Sequence, residues 1–375
     1  MSHERLSYFE SRRARLLGDL EALVSIESPS EDARGVSRLA AWVEDRLRER
    51  GVPARRVSCP PRGDALLAHV GDAAGGTLLL GHIDTVWPLG TLGGMPWRVE
   101  DGRAAGPGVF DMKAGVAVGM AVLEALAREP ASAPVSLLLV PDEEAGSEAS
   151  RELTLEVAQR HERVLVLEPS LAGAAKVARK GCGSFQVSFQ GRAAHAGLEP
   201  ERGSSALAEL SRFVLGLDAL AAPDRGTTLV ASLARAGSAS NVVPEAAELT
   251  VDARAWTAPE MERVSAAVRS YEAADPRVTV GITGGFDRPP LEPTPASEAL
   301  YARARSIAAG LGFELGCARV GGASDGNFTA AAGIPTLDGL GPSGGGAHAR
   351  DEHVLVPDLA RRAALVAALA CGEGG

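Results

Sequence analysis

Five short stretches of this chain carry side chains that can bind a cation or move a proton. They are GHIDTV with His82 and Asp84, GPGVFDMKAG with Asp111, PDEEAGS with Glu143 and Glu144, LEPS with Glu168, and GGGAHARDEH with His348. Imidazole and carboxylate are good ligands for zinc and related divalent ions. Two such ions about 3.5–4 Å apart can share a carboxylate and a water, lowering the water's pKa towards neutrality and polarising a carbonyl. A free carboxylate must then shuttle a proton to the leaving group. The adjacent Glu143 and Glu144 offer one group to a metal and one to the water, and Asp84, two residues after His82, can fix the tautomer and orientation of a ligand imidazole.

Taken singly, each stretch has a plainer reading. His82 would be a histidine in a turn, Glu143–Glu144 a solvated acidic turn, Asp111 an N-cap for the helix that follows, and Glu168 any glutamate at a strand end. Their common position argues for the functional reading. His82 follows the apolar run TLLL, Glu143 and Glu144 follow VSLLLV, Glu168 follows VLVL, and His348 follows IPTL and a glycine-rich loop. Open α/β sheets place their ligands just beyond the C-terminal ends of their strands.

The elements that must position these groups alternate between helix and strand. Helical periodicity covers about Glu4–Ser25, Gly35–Arg50, Lys113–Arg128 and Glu148–Arg160, with strands at Ala65–Val70, Thr77–Leu80, Val135–Val140 and Val164–Leu167. This is the pattern of an α/β domain, a sheet flanked by helices. After Lys180 the order becomes β-α-β-β-α-β: Ser184–Gln190, Ser204–Leu220, Thr227–Ala234, Ala246–Ala255, Pro259–Ala274 and Arg277–Thr283. That order is the ferredoxin-like α+β motif. The proline-rich Arg288–Pro295 reads as a return linker. The expected organisation is a catalytic domain in two parts, 1–178 and 288–375, interrupted by an inserted domain at 179–287.

The chain has 375 residues with 45% hydrophobic and 23% charged residues, the range of soluble globular proteins. Its formal net charge of −10 argues against nucleic acid or an anionic membrane as a partner. No apolar run approaches a membrane span, and the charged N-terminal stretch has no signal-peptide core, so a cytoplasmic location is expected. Cys59, Cys182, Cys317 and Cys371 are far apart and suggest neither disulfides nor a thiolate metal site. His3, His69, His161 and His353 have no motif support. The GxGxxG match from Gly339 to Gly344 is followed by His348 rather than a helix, which argues against a dinucleotide site, and no GxSxG elbow is present.

The series GHIDTV, GPGVFDMKAG, PDEEAGS, LEPS and AAHAG resembles the glutamate carboxypeptidase/acetylornithine deacetylase/succinyl-diaminopimelate desuccinylase family over essentially the whole chain, with the bacterial folate-cleaving carboxypeptidases nearest in local motif. The resemblance implies a zinc-exopeptidase-like catalytic domain with an inserted lid and dimerisation domain. It implies two zinc ions, with cobalt or manganese as substitutes. Asp111 would bridge them, with His82 and Glu168 on one ion and Glu144 and His348 on the other. Glu143 would be the general base and acid, Asp84 would support His82, and the Asp111–Met112 peptide would be cis. Met112 stands where many relatives carry a second acidic residue, and its contribution is expected through its backbone. His195 in AAHAG would stabilise the oxyanion, often from the partner subunit of a homodimer. Asn241 and Arg254 resemble ligands of a substrate carboxylate, and Arg288 and Lys176 further substrate contacts.

The function implied is hydrolysis of an amide bond next to a free carboxylate, releasing a C-terminal amino acid such as glutamate from an N-acyl amino acid or small peptide. Two alternatives remain open. One is a biosynthetic deacylase acting on acetylornithine, acetyl-lysine or succinyl-diaminopimelate, which would share the metal site and differ in the pocket. The other is a silent ligand-binding relative, against which the presence of Glu143 argues.

Overall fold

The computed structural model describes residues 2–129 and 133–372. These divide into two compact units. The first combines the chain up to Val177 with Pro293–Arg319 and the residues from Ser324 on; the second comprises Ala178–Glu292 and Val320–Ala323.

The first unit is organised around a six-stranded sheet, in the order Ala54–Cys59, Gly63–Val70, Val135–Val140, Thr77–His82, Arg163–Val166, Thr336–Leu337. The first two pairings are antiparallel and the remaining ones parallel. The central strands VSLLLV and TLLLGH are buried at every residue. That explains why they read as continuous apolar runs, since a parallel strand covered on both faces has no solvent side. Alternation still sorts their side chains: Leu79, Leu137, Leu139 and Leu165 join one core, and Leu78, Leu80, Leu138, Val140, Val164 and Val166 join the other. Register aligns the strand ends, with His82 opposite Val140 and Leu80 opposite Val166. Residues just beyond these ends therefore emerge along one edge.

Three elements differ from the sequence-based reading. The first helical stretch is two helices, Ser2–Glu10 and Arg13–Ser25. The strand Ala54–Cys59 lies at the sheet edge, where its arginines are exposed, so it carries no apolar run. The helix after Asp111 spans Ala114–Leu126 and has no side-chain cap, so Asp111 is free of the capping role. This helix is buried almost throughout. It packs closely because Gly115 and Gly119 face Leu167 and Leu137, and a Cβ at Gly115 would lie 2.1 Å from the carbonyl oxygen of Leu167.

The second unit carries an antiparallel sheet in the order Thr228–Ala236, Ala246–Ala255, Gly181–Gln190, Thr279–Arg288. In chain order this is the expected β-α-β-β-α-β arrangement. Helices Ala206–Leu220 and Ala258–Arg269 contribute Leu210, Phe213, Val264 and Val268 to the core over Phe185, Val187, Leu249 and Val251. Among the described residues, no helix is long and apolar enough to cross a membrane.

Candidate metal centre

In the first unit all seven groups singled out in its motifs converge. His82 ends its strand, 1% exposed, with Nε2 3.4 Å from Asp111 Oδ1 and 3.4 Å from Glu168 Oε1. His348 sits on the glycine-rich loop in a left-handed conformation, φ 61°. Its Nε2 lies 3.4 Å from Asp111 Oδ2 and 3.1 Å from Glu144 Oε1. Asp111 thus presents one oxygen to each imidazole. The ligand atoms of His82, Asp111 and Glu144 lie within 4.8 Å of one another, as do those of His82, Glu143 and Glu168. The Asp111–Met112 peptide is cis, as the resemblance implies.

The donor set fits divalent cations. Two ligands about 2.0–2.1 Å from a tetrahedral zinc stand roughly 3.3–3.4 Å apart, close to the separations here. His82 Nε2 is a buried atom with no hydrogen-bond partner among the described residues, and it faces two carboxylates. Electrostatics agree. Burial works against charge on His82, but the carboxylates of Asp111, Asp84 and Glu168 outweigh it and raise its pKa well above the ordinary value. His348, beside Asp111 and Glu144, is pushed up to about 10. Burial would raise Asp111, yet the imidazoles of His348 and His82 beside it hold it well below the usual carboxylate range. Burial raises Glu144. A cluster that draws protons so strongly onto its imidazoles is one that stabilises positive charge.

Asp84 is more extensively used than its spacing suggested. Its backbone carbonyl lies 3.0 Å from His82 Nδ1, nearer than its carboxylate Oδ1 at 3.3 Å. The carboxylate accepts the backbone N–H groups of Glu143 and Glu144, each at 3.1 Å, and the hydroxyl of Ser30 at 2.6 Å. Met112 also departs from expectation. Its sulfur accepts the backbone N–H of His82 at 3.2 Å, so its side chain as well as its backbone touches the site. Glu352 was not singled out at all. Fully buried, it accepts N–H bonds from Gly108, Phe110 and Asp111 and from the indole of Trp87. The available signal was an acidic residue four positions after His348 in HARDE, which reads as a surface charge.

His195, Asn241, Arg254 and Arg288 belong to the second unit. His195 is exposed, and its Nδ1 accepts the backbone N–H groups of Gly197 and Leu198, both at 3.1 Å. That leaves the proton on Nε2, which becomes an outward-facing donor. Asn241 is also exposed, and its carbonyl accepts from Ala196 N. Arg254 is clamped by both oxygens of Asp252 and donates to the carbonyl of Gly321. Arg288 is buried, 6% exposed. Lys176 lies in the first unit, its backbone paired with Asp338.

Residues 78–371 match the model of Peptidase family M20/M25/M40. The chain belongs to this family. It is 31% identical over 361 residues to carboxypeptidase G2 from Pseudomonas sp. (strain RS-16), covering 93% of this chain and 87% of that one. It is 28% identical to succinyl-diaminopimelate desuccinylase from Delftia acidovorans, covering 92% and 95%. Among solved structures it resembles the YXEP protein of Bacillus subtilis, described as a dinuclear metal binding peptidase, with a TM-score of 0.69, 14% identity and coverage of 96% and 98%. The fold and the enzyme class, a metallopeptidase-type hydrolase, follow from this membership.

Proposed function

We propose that this M20 hydrolase binds two divalent cations, zinc by default with cobalt or manganese as substitutes, and is a carboxypeptidase that releases a C-terminal amino acid, glutamate foremost, from N-acyl amino acids or small peptides. The observation that carries the two-cation reading is the placement of Asp111, one oxygen 3.4 Å from His82 and the other 3.4 Å from His348. His82 and Glu168 would complete one site, and Glu144 and His348 the other. Bound there, the ions would supply an activated water and polarise the scissile carbonyl. Glu143, brought to the cluster by the turn that Asp84 holds, would take the proton from the water and deliver it to the leaving amine. The outward Nε2–H of His195 is suited to a developing oxyanion. Arg254 and Asn241 are assigned to the substrate carboxylate.

The substrate assignment draws support from the likeness to carboxypeptidase G2. The likeness to a succinyl-diaminopimelate desuccinylase favours the biosynthetic deacylase as the second reading. A cytoplasmic homodimer is the proposed state. Val230 and Leu233, 52% and 70% exposed on the edge strand Thr228–Ala236, support association of two copies.

The test is amino-acid release from a panel of folate-like acyl glutamates, dipeptides, acetylornithine and succinyl-diaminopimelate, by chelator-treated protein with and without added zinc. Zinc-dependent release of glutamate is expected. Preference for acetylornithine or the succinyl substrate would move the enzyme to the deacylase reading, and failure to take up any metal would overturn the proposal.

A further inference from the structure

Glu352 is a carboxylate with no solvent exposure, surrounded by donors. Oε1 accepts the backbone N–H groups of Phe110 at 2.9 Å and Asp111 at 3.0 Å; Oε2 accepts Gly108 N at 2.9 Å and Trp87 Nε1 at 2.7 Å. Four donors on one carboxylate compensate for its removal from water, and each bond to the charged group is stronger than a neutral one. The bonds tie together three stretches distant in sequence: the segment after His82 and Asp84 through Trp87, the turn that ends in Asp111, and the loop that carries His348 four residues earlier.

The two imidazoles are held differently. His82 lies on a central strand paired on both sides and is held again through Nδ1 by the carbonyl of Asp84. His348 has a half-exposed side chain on an irregular loop, flanked by the two-residue strand Gly344–Gly345. Glu352 is a buried attachment of that loop to the Asp111 turn, made through three backbone N–H groups.

We propose that Glu352 is a positioning residue that sets the register between Asp111 and His348, and so controls the second cation site, formed by Asp111, Glu144 and His348, while leaving the site of His82, Asp111 and Glu168 largely in place. The inference rests on the two-cation reading above. Glu352→Gln is the direct variant: its NH2 group must oppose N–H donors on one side of the network. Trp87→Phe removes one donor and keeps an aromatic ring.

The experiment titrates the metal-free full-length chain with Co2+, followed by its visible absorption and by calorimetry, with circular dichroism and thermal unfolding as controls on the fold. Wild-type protein should take up two ions. Glu352→Gln should take up the first with affinity within a few-fold of wild type and the second about 10–100-fold more weakly, with Trp87→Phe shifted in the same direction by less. Equal weakening of both ions, or wild-type affinity for both in a folded Glu352→Gln protein, would overturn the proposal. So would an unfolded Glu352→Gln protein combined with wild-type binding by Trp87→Phe, because Glu352 would then serve the fold alone. Failure of the wild type to bind two ions would instead overturn the two-cation reading, and this inference with it.

Discussion

Asp84 Oδ1 accepts the backbone N–H of Glu143 at 3.1 Å and lies 3.3 Å from Nδ1 of His82. One carboxylate therefore orients a proposed metal ligand and the peptide that carries the proposed base. Its other oxygen accepts from Glu144 and Ser30. Asp84→Asn keeps the size but sets an amide NH2 against donors. The expected result is metal affinity about 10–100-fold weaker together with a lower kcat. Zinc competition and steady-state kinetics on the same preparation read both, and wild-type values for both would contradict the coupling.

Glu143→Gln separates two roles. As a proton carrier, Glu143 should be worth about 10²–10⁴ in kcat, with KM and bound metal unchanged. Its carboxylate is also near enough to the imidazole of His82 and the carboxylate of Glu168 to bind a cation. Metal analysis of the variant decides between them: loss of an ion would assign Glu143 as a ligand.

Gly115→Ala sets two effects in opposition. Alanine in a helix interior ordinarily gains roughly 0.5–1 kcal/mol over glycine. Here the added Cβ would lie 2.1 Å from the carbonyl oxygen of Leu167, an overlap with backbone that only movement of the helix or strand can relieve. Overpacking of this kind costs about 1–3 kcal/mol, so a lower midpoint in thermal unfolding is expected. Leu167 precedes Glu168, so weaker binding of the first ion should accompany it.

His161 provides a pH dependence outside the proposed centre. It is buried, with Nδ1 facing the carbonyl of Val157 at 2.8 Å and Nε2 facing the hydroxyl of Ser136 at 2.9 Å. Burial, aided by Arg160, lowers its pKa in the folded protein. The unfolded chain, titrating near 6.5, then binds more protons than the folded one, and stability falls as pH drops below that value. Unfolding midpoints between pH 8 and pH 5 should fall less steeply in His161→Gln than in the wild type. Parallel slopes would remove His161 from the acid response.

The groups legible in the sequence are those whose position is set by a strand. His82, Glu143, Glu144 and Glu168 follow runs so apolar that the strands could be placed, and a parallel register then brings the ends together. Asp111 and His348 stood out by residue type and setting, but their partners in the cluster required the resemblance, because neither the turn before Ala114 nor the glycine loop has a periodicity that fixes its path. Glu352 and Ser30 stayed hidden because their partners are mostly backbone N–H groups or a side chain far away in sequence, and sequence shows neither. Val320–Ala323 cluster with the second unit through carbonyls that accept from Lys180, Arg179 and Arg254, again leaving no side-chain trace.

The first unit is assembled from chain on either side of the second, and that order has a consequence for biosynthesis. Chains emerge from the ribosome N-terminus first, and domains tend to fold as they appear. His82, Asp111, Glu143, Glu144 and Glu168 have all been translated before the second unit begins, whereas His348 and Glu352 arrive only after it. A nascent chain can thus gather one half of the proposed centre early but can close the other half only once the second unit has also been made. On the two-cation reading, chains terminated before or within the second unit would lack His348 and with it the second cation site.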